Sequence, residues 1–438
     1  MDAGVSAGAA VLPGFDPGPE IRRSVRGQER HRARLRRTTR ELVRFAGLDE
    51  PASTRALEPH FAALRAAFWR SPFYCAALRA RGLSPDDLRR VLDLKHFPLL
   101  DRDTLRTGFR SLPALPVRGH VPRLFVERSS GSSGQPVSVL KEDYDSVHMW
   151  AMLRFWMGRL ELRLPARPRI ALLCTLPHGV EYRTSLPALA GTLARISLAR
   201  PEPGERLAAF RPDVVFSDPA GLHWLAGQEH PWRPRLLLSS AMHLPLELRE
   251  RVGARLDVPV LNYYSCAETG PIAWECLTAP GRLHVLLPDV FVESVEGELV
   301  VTRLRESVLP LLRYRTGDAG RVEREACRCG YRGFSIAGLT GRRACRFVTP
   351  DGRAVDAWRL AWVFQHHPLD GFRLSQENVE RFRLETAGDP PGGAPELVDR
   401  LHATLVALGW PAPRIEHRRV PREALAAAKP EPFVSRHS

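Results

Sequence analysis

A chain of 438 residues is too long for one ordinary core and long enough for a large domain joined to a small one. Hydrophobic residues make up 44%, yet no stretch approaches the roughly 20 uninterrupted apolar residues of a membrane-spanning helix, which excludes that class. The net charge of +15 is concentrated, because residues 21–40 hold nine arginines and one glutamate.

Residues 1–45 read as a flexible Arg-rich N-terminal segment. They lack the basic start and apolar run of a secretory signal, so a cytoplasmic protein is expected. The arginine run fits a solvated tail or an exposed helix face better than an anionic partner, and a nucleic-acid role is not expected. From residue 46 the chain reads as folded, with apolar residues at helical spacing over 42–81 and a turn and helix start at Ser71-Pro72-Phe73-Tyr74. From Arg169 onward the short apolar runs RIALLC, DVVFS, RLLLSS and VPVLNYY alternate with helix-like segments, the pattern of a largely parallel α/β sheet. Beyond Asp289 the texture changes to alternating strands, ending near Gly338 to Arg342, where a hinge fits. The remainder predicts a small α+β unit: a helix over 357–364, strands over 372–374 and 381–385, a helix over 396–408 and a strand over 414–418. The large domain is thus expected over 46–341 and a small mobile one over 342–438.

Seven cysteines, at 75, 174, 266, 276, 327, 329 and 345, are an odd and mostly scattered set, so reduced thiols are expected and not a disulfide framework. Three of the 64 basic residues are lysine, at 95, 141 and 429. Where only positive charge is wanted this chain uses Arg, so a retained Lys points to a compact, mobile ammonium.

Three segments carry chemistry. The first, Ser129-Ser130-Gly131-Ser132-Ser133-Gly134, lies between apolar runs, and its amides and hydroxyls suit an anion. It is not a P-loop, since no Gly-Lys-Ser/Thr ends it, and a flexible linker is the alternative. The second, Tyr263 to Gly270, follows a buried-looking strand, where α/β folds place ligands. Glu268 suits Mg²⁺ and a neighbouring Tyr suits a base; a strand-end turn with a helix-starting Glu is the alternative. The third, Arg313 to Asp318, ends on a carboxylate able to accept from a ribose diol.

In this order the three segments resemble the AMP-forming acyl-CoA synthetase superfamily, and most of all its phenylacetate-CoA ligase branch. Ser71 to Tyr74, Asp86-Asp87-Leu88, Leu94 to Asp101, Ser239-Ser240-Ala241 and Gly341-Arg342 extend the likeness over roughly residues 60 to 435. The resemblance implies a large N-terminal adenylate-forming domain with mostly parallel sheets plus a small α+β C-terminal domain. It implies ATP phosphates on Ser129, Ser130, Gly131, Ser132, Ser133 and Gly134, an adenine and Mg²⁺ site at Tyr264 and Glu268, and the ribose on Asp318. Arg342 takes the interdomain arginine's place, and Lys429 that of the lysine that contacts the carboxylate and α-phosphate. The implied reaction turns a small carboxylic acid into an acyl-adenylate with release of pyrophosphate, then transfers the acyl group to coenzyme A. A carrier-protein thiol or an amine as acceptor, and a catalytically silent homologue, are the alternatives; relatives commonly pair as homodimers. Gln135, Met242, Ser265, Ala267, Ala344 and Cys345 depart from the family pattern.

Cys276, His284, Cys327 and Cys329 supply four N/S ligands of the kind structural Zn²⁺ accepts, with two free thiols and an unrelated His as the alternative. His148, His178 and His243 are candidates for the acyl pocket, although each reads more simply as an ordinary core or surface residue.

Overall fold

The computed structural model describes residues 25–108, 110–114, 124–128, 137–142, 145–174, 181–186, 188–198, 200–229, 231–242, 244–305, 307–340, 345–356, 360, 363–364, 371–388, 393–425 and 433–436. Described residues up to Glu127 and from Ser138 to Thr340 form one compact unit, and Arg128, Val137 and those from Cys345 onward a second.

The large unit opens with helices α1 (Val25–Ala46), α2 (Glu50–Phe68), α3 (Pro72–Arg79) and α4 (Arg102–Thr107). The expected flexible segment is therefore corrected from Val25 onward. Leu35, Thr38, Leu42 and Phe45 recur at helical spacing and are buried, and α1 packs through this stripe on α5 (Ser146–Arg159). The arginines occupy the other faces, with Arg30, Arg32, Arg36, Arg37, Arg40 and Arg44 exposed. Helix α3 starts where Ser71-Pro72 predicts, with proline in its first turn, where a missing N–H does no harm. Tyr74 on α3 is fully buried. Its hydroxyl donates to the Pro310 carbonyl at 3.1 Å and accepts from the Leu312 amide at 3.1 Å.

Strands β1 (Leu124–Arg128) and β2 (Ser138–Glu142) pair as a two-stranded sheet. The main sheet has twelve strands. Its first half comprises β3 (Arg169–Cys174), β4 (Tyr182–Leu186), β5 (Gly191–Ser197), β6 (Val214–Ser217), β7 (Leu236–Ser239) and β8 (Val260–Cys266), in the order β4-β5-β3-β6-β7-β8. From β5 to β8 the pairings are parallel, and β4 closes the edge antiparallel. The apolar runs read in the sequence are these parallel strands, and β6 and β7 are buried along their whole length, as strands covered on both faces must be. Helices α6 (Pro203–Phe210), α7 (Pro219–Ala226) and α8 (Leu246–Leu256) fill the crossovers. They bury Leu207, Phe210, Leu222, Leu225 and Val252 against Ala171, Val215 and Leu237. Helix α7 begins at Asp218, whose side chain accepts from the Gly221 amide at 2.8 Å.

The second half is antiparallel throughout: β9 (Gly270–Glu275), β10 (Leu283–Val285), β11 (Val290–Val295), β12 (Glu298–Arg303), β13 (Tyr314–Glu323) and β14 (Ser335–Thr340). They continue the sheet as β8-β9-β10-β14-β13-β12-β11. The change of texture in the sequence marks this half, although the antiparallel pairing already begins at β9.

The second unit holds the hairpin β15 (Arg346–Val348) and β16 (Ala354–Asp356), and a sheet of β17 (Gly371–Gln376), β18 (Arg381–Ala387), β19 (Arg414–Arg419) and β20 (Phe433–Ser435), ordered β19-β18-β17-β20. Helix α9 (Gly393–Leu408) buries Leu397, Leu401 and Leu405 among Phe347, Phe382, Leu384 and Trp410, and a short α10 (Arg422–Leu425) follows β19. The predicted strands and the second predicted helix are present. The helix expected over 357–364 falls largely outside the described residues.

Candidate functional site

Strand β8 is the last parallel strand, and at its C-terminal end the chain turns sharply through Ala267–Gly270 into β9, with Gly270 at φ +80°. A side chain there would sit in the left-handed region that glycine alone occupies at no steric cost. The turn presents Glu268, 4% exposed. Helix α4, capped by the Asp101 carboxylate accepting from the Thr104 amide, brings Arg102 Nη1 to 3.8 Å from Glu268 Oε1. That carboxylate oxygen is buried and has no hydrogen-bond partner among the described residues. Arg102 is an ion-pair partner at a distance too long for a hydrogen bond, and a solvent-poor carboxylate oxygen that makes none retains lone pairs a hard cation could take, so the site fits Mg²⁺. Its field is felt nearby: the Cys266 thiol is pushed up to about 12 by burial and then by Glu268, and the Tyr314 phenol is raised by the same two causes.

Two residues inside β8, Tyr264 donates its hydroxyl to Asp318 Oδ2 at 2.7 Å, which joins the second and third sequence motifs directly. Burial and then Asp318 hold the phenol protonated, well above its ordinary value. Asp318 lies on β13, where its amide donates to Thr316 Oγ1 at 3.1 Å.

A group of charges that no motif announced lies in the same unit. Asp145, just before α5, meets Arg303 Nη2 and Arg305 Nε, each at 3.4 Å. Burial opposes its ionisation, and Arg303, Arg305 and Lys141 outweigh that, so the carboxyl is held well below the usual range. Lys141, one of the three lysines, is 5% exposed on β2 with its ammonium 3.7 Å from Glu127 Oε2 on β1. Burial lowers its affinity for the proton while Glu127 and Asp145 support it. Glu142 is buried beside it and accepts from the Val308 amide.

Cys276 at the end of β9, His284 on β10, and Cys327 and Cys329 in the turn between β13 and β14 come together, their ligand atoms all within 4.8 Å of one another. Cys276 and Cys327 sulfurs are 3.6 Å apart, and Cys329 Sγ is 3.3 Å from His284 Nε2. A tetrahedral ion with bonds of about 2.3 Å to sulfur and 2.0–2.1 Å to nitrogen sets sulfur–nitrogen edges of about 3.5 Å and sulfur–sulfur edges of about 3.8 Å, each within a few tenths of an ångström of these two distances, so the donor set fits zinc. The supporting contacts fit as well: His284 Nδ1 meets Ser335 Oγ at 3.0 Å, its ring stacks on Tyr331 at 4.1 Å, and the Gly330 amide closes on the Cys327 carbonyl at 3.0 Å.

His148 is a core residue, 4% exposed, with Nδ1 2.6 Å from Asp289 Oδ2. Ser129, Ser130, Gly131, Ser132, Ser133, Gly134, Arg342, Lys429, His178 and His243 lie outside the described residues. Among those described, no helix is long and apolar enough to cross a membrane.

The fold is that of the adenylate-forming CoA ligases. It superposes on a crystal structure of 2-hydroxyisobutyryl-CoA ligase in the postadenylation state in complex with R3-HIB-AMP, with a TM-score of 0.56 and 14% identity, over 90% of this chain and 92% of that one. The same enzyme with 2-HIB-AMP and CoA in the thioesterification state gives a TM-score of 0.56 and 16% identity, over 90% and 91%. In sequence the chain is 28% identical over 306 residues to phenylacetate-coenzyme A ligase of Pseudomonas putida, spanning 62% of this chain and 68% of that one. It is 29% identical over 301 residues to the enzyme of that name from Thermus thermophilus, spanning 62% and 66%. No family model matches the chain. In sequence the chain is similar to the phenylacetate-CoA ligases, and in fold to the adenylate-forming CoA ligases.

Proposed function

We propose that this protein activates a carboxylic acid with ATP as an acyl-adenylate and passes the acyl group to coenzyme A. The observation that carries the reading is Glu268: a buried carboxylate, one oxygen of which makes no hydrogen bond among the described residues, just past the C-terminal end of the last parallel strand of the large sheet, which also carries Tyr264 of the Tyr264–Asp318 pair. In the first step a carboxylate oxygen of the acid bonds to the α-phosphorus of ATP as the bond to pyrophosphate breaks. In the second the thiol sulfur attacks the acyl carbon, AMP leaves with the bonding pair, and the thiol proton passes to solvent. Such chemistry needs charge neutralisation and positioning more than covalent help.

Within this reading Glu268 holds Mg²⁺, which when bound neutralises phosphate charge. Ser129 to Gly134 donate to phosphate oxygens, Asp318 accepts from the ribose, and Tyr264 lines the adenine. Lys429 supplies the compact ammonium for the carboxylate and α-phosphate, and Arg342 acts at the boundary between the units. The relatives' names make an arylacetic acid the first substrate class to test. Cys276, His284, Cys327 and Cys329 are read as a structural zinc site, closed by four protein ligands that leave no position for water.

The test is acid-dependent pyrophosphate release from ATP and Mg²⁺ over a panel of aryl, arylacetic and aliphatic acids, with Glu268→Ala and Lys429→Ala beside the wild type. Release that both substitutions abolish supports adenylation, and thioester formation on adding coenzyme A identifies the acceptor. Folded wild-type protein that releases no pyrophosphate with any acid sinks the reading.

A further inference from the structure

The turn that carries Glu268 is held from behind by two buried arginines. Arg303, at the end of β12 and fully buried, brings Nη1 to 3.5 Å from the Glu268 carbonyl and donates from Nη2 to Ser307 Oγ at 2.7 Å. Two residues on, Arg305 donates from Nη2 to the Thr269 carbonyl at 3.1 Å, and a Cβ built on Gly270 would stand 3.4 Å from that same nitrogen. Both guanidiniums converge on Asp145 Oδ1. The other oxygen of Asp145 accepts from the Glu142 amide at 3.0 Å, at the very end of β2. The Glu142 carboxylate in turn accepts from the Val308 amide, which ties β2 to the segment just past the two arginines. One carboxylate thus links the C-terminal end of β2 to the two arginines that hold the Glu268 turn.

Stability alone is a poor account of this arrangement. Buried ion clusters are often matched or bettered by apolar residues of similar volume. Arg305 moreover leaves Nη1 buried without a hydrogen-bond partner among the described residues, which is destabilising. What the cluster does provide is registry: fixed charges with directional donors aimed at the main chain of a single turn.

We propose that Asp145, Arg303 and Arg305 are positioning residues that lock the Glu268 turn to strand β2, so that the Glu268 carboxylate is aimed by a buried ion cluster that touches no substrate. The proposal rests on the adenylation reading and adds to it how Glu268 is aimed. Arg305→Met removes the donor to the Thr269 carbonyl, Asp145→Asn removes the shared counter-charge, and Arg305→Lys keeps the charge but loses the planar fork that reaches both partners.

The test is hydrogen exchange on the full chain, read on peptides covering 262–272 and 138–145, beside the Mg²⁺ dependence of pyrophosphate release. In Arg305→Met and Asp145→Asn both peptides exchange faster while β3, β5 and β6 keep their protection. The Mg²⁺ concentration for half-maximal release rises about 10- to 100-fold, as for other residues that orient a metal ligand, with little change in the KM of the acid. Arg305→Lys is expected to fold even where the other variants do not, and it restores protection in only one of the two peptides. Unchanged exchange in both peptides, or acceleration spread evenly over the large unit, overturns the proposal. A wild type that releases no pyrophosphate removes the adenylation reading, and the exchange data still decide whether the cluster sets the turn.

Discussion

Two buried polar clusters in the large unit are built in opposite ways. The Asp145 cluster pairs that residue with Arg303, 158 positions away, and with Arg305 beyond it, and is compensated from within, carboxylate against guanidinium and ammonium. The Cys276, His284, Cys327 and Cys329 cluster comes from the adjacent strands β9 and β10 and the turn between β13 and β14, and its sulfurs and nitrogen all lie within 4.8 Å of one another. An ion pair network is complete when the chain folds, whereas a set of soft donors is complete only with an ion from outside.

The largest expected effect breaks the second cluster. Structural zinc contributes about 10–16 kcal/mol in small zinc peptides, and a unit with its own core retains only the part coupled to residues 276–335. Cys276→Ser with Cys327→Ser should abolish metal content by mass spectrometry and give the steepest fall in melting temperature of any change considered. Wild type purified with no zinc and an unaltered melt on chelation would remove the site. In the first cluster Asp145→Ala leaves two buried guanidiniums without their counter-charge, and urea unfolding should report a loss of about 3–5 kcal/mol; a loss below about 1 kcal/mol would mean that water already serves them.

Smaller effects sharpen the contrast at the active end. Glu268→Gln keeps the shape and removes the charge, so acid-dependent pyrophosphate release should drop about 10²- to 10³-fold with the fold intact by circular dichroism. Tyr264→Phe deletes one hydrogen bond to a carboxylate, about 1.5–3 kcal/mol, to be read as weaker ATP binding with little change in the acid's KM. The gentlest test is pH. Burial, opposed by Asp289, depresses the pKa of His148 below its unfolded value of about 6.5. Below that pH the unfolded chain binds the proton that the native one refuses, so stability falls as pH drops through about 6.5. Burial alone would raise Asp289, but His148 outweighs it, so loss of the Asp289 contribution begins only as pH falls below about 4. A urea midpoint that moves no less in His148→Gln than in wild type between pH 7.5 and 5.5 would count against this assignment.

Much of the architecture was legible because it is written locally. Parallel strands such as β6 and β7 must be apolar on both faces, and Ser71-Pro72 fixes the start of α3 through its dihedral preference. Tyr264, Glu268 and Asp318 stand out as candidates for the same reason, since each sits in a short segment with its own turn chemistry. Helix α1 is hard to read from sequence because its eight arginines hide a stripe of Leu35, Leu42 and Phe45, and mean charge says nothing about one face. Asp145, Arg303 and Arg305 were out of reach. Each is a single charged residue without a motif, and only the sheet order brings them together. Lys141 left a faint trace as one of three lysines in an arginine-rich chain. The closing strand β20 was missed because its parallel partner, β17, is a tertiary choice.

Tyr74 sets an order of events. Its hydroxyl meets the carbonyl and amide of residues 236 and 238 positions downstream. On a ribosome adding about 5–20 residues per second, the phenol waits roughly 12–50 s for those partners. Until they emerge, α3 has no seat for its most buried side chain, and the N-terminal helices are the part of the nascent chain that a chaperone has the longest time to meet.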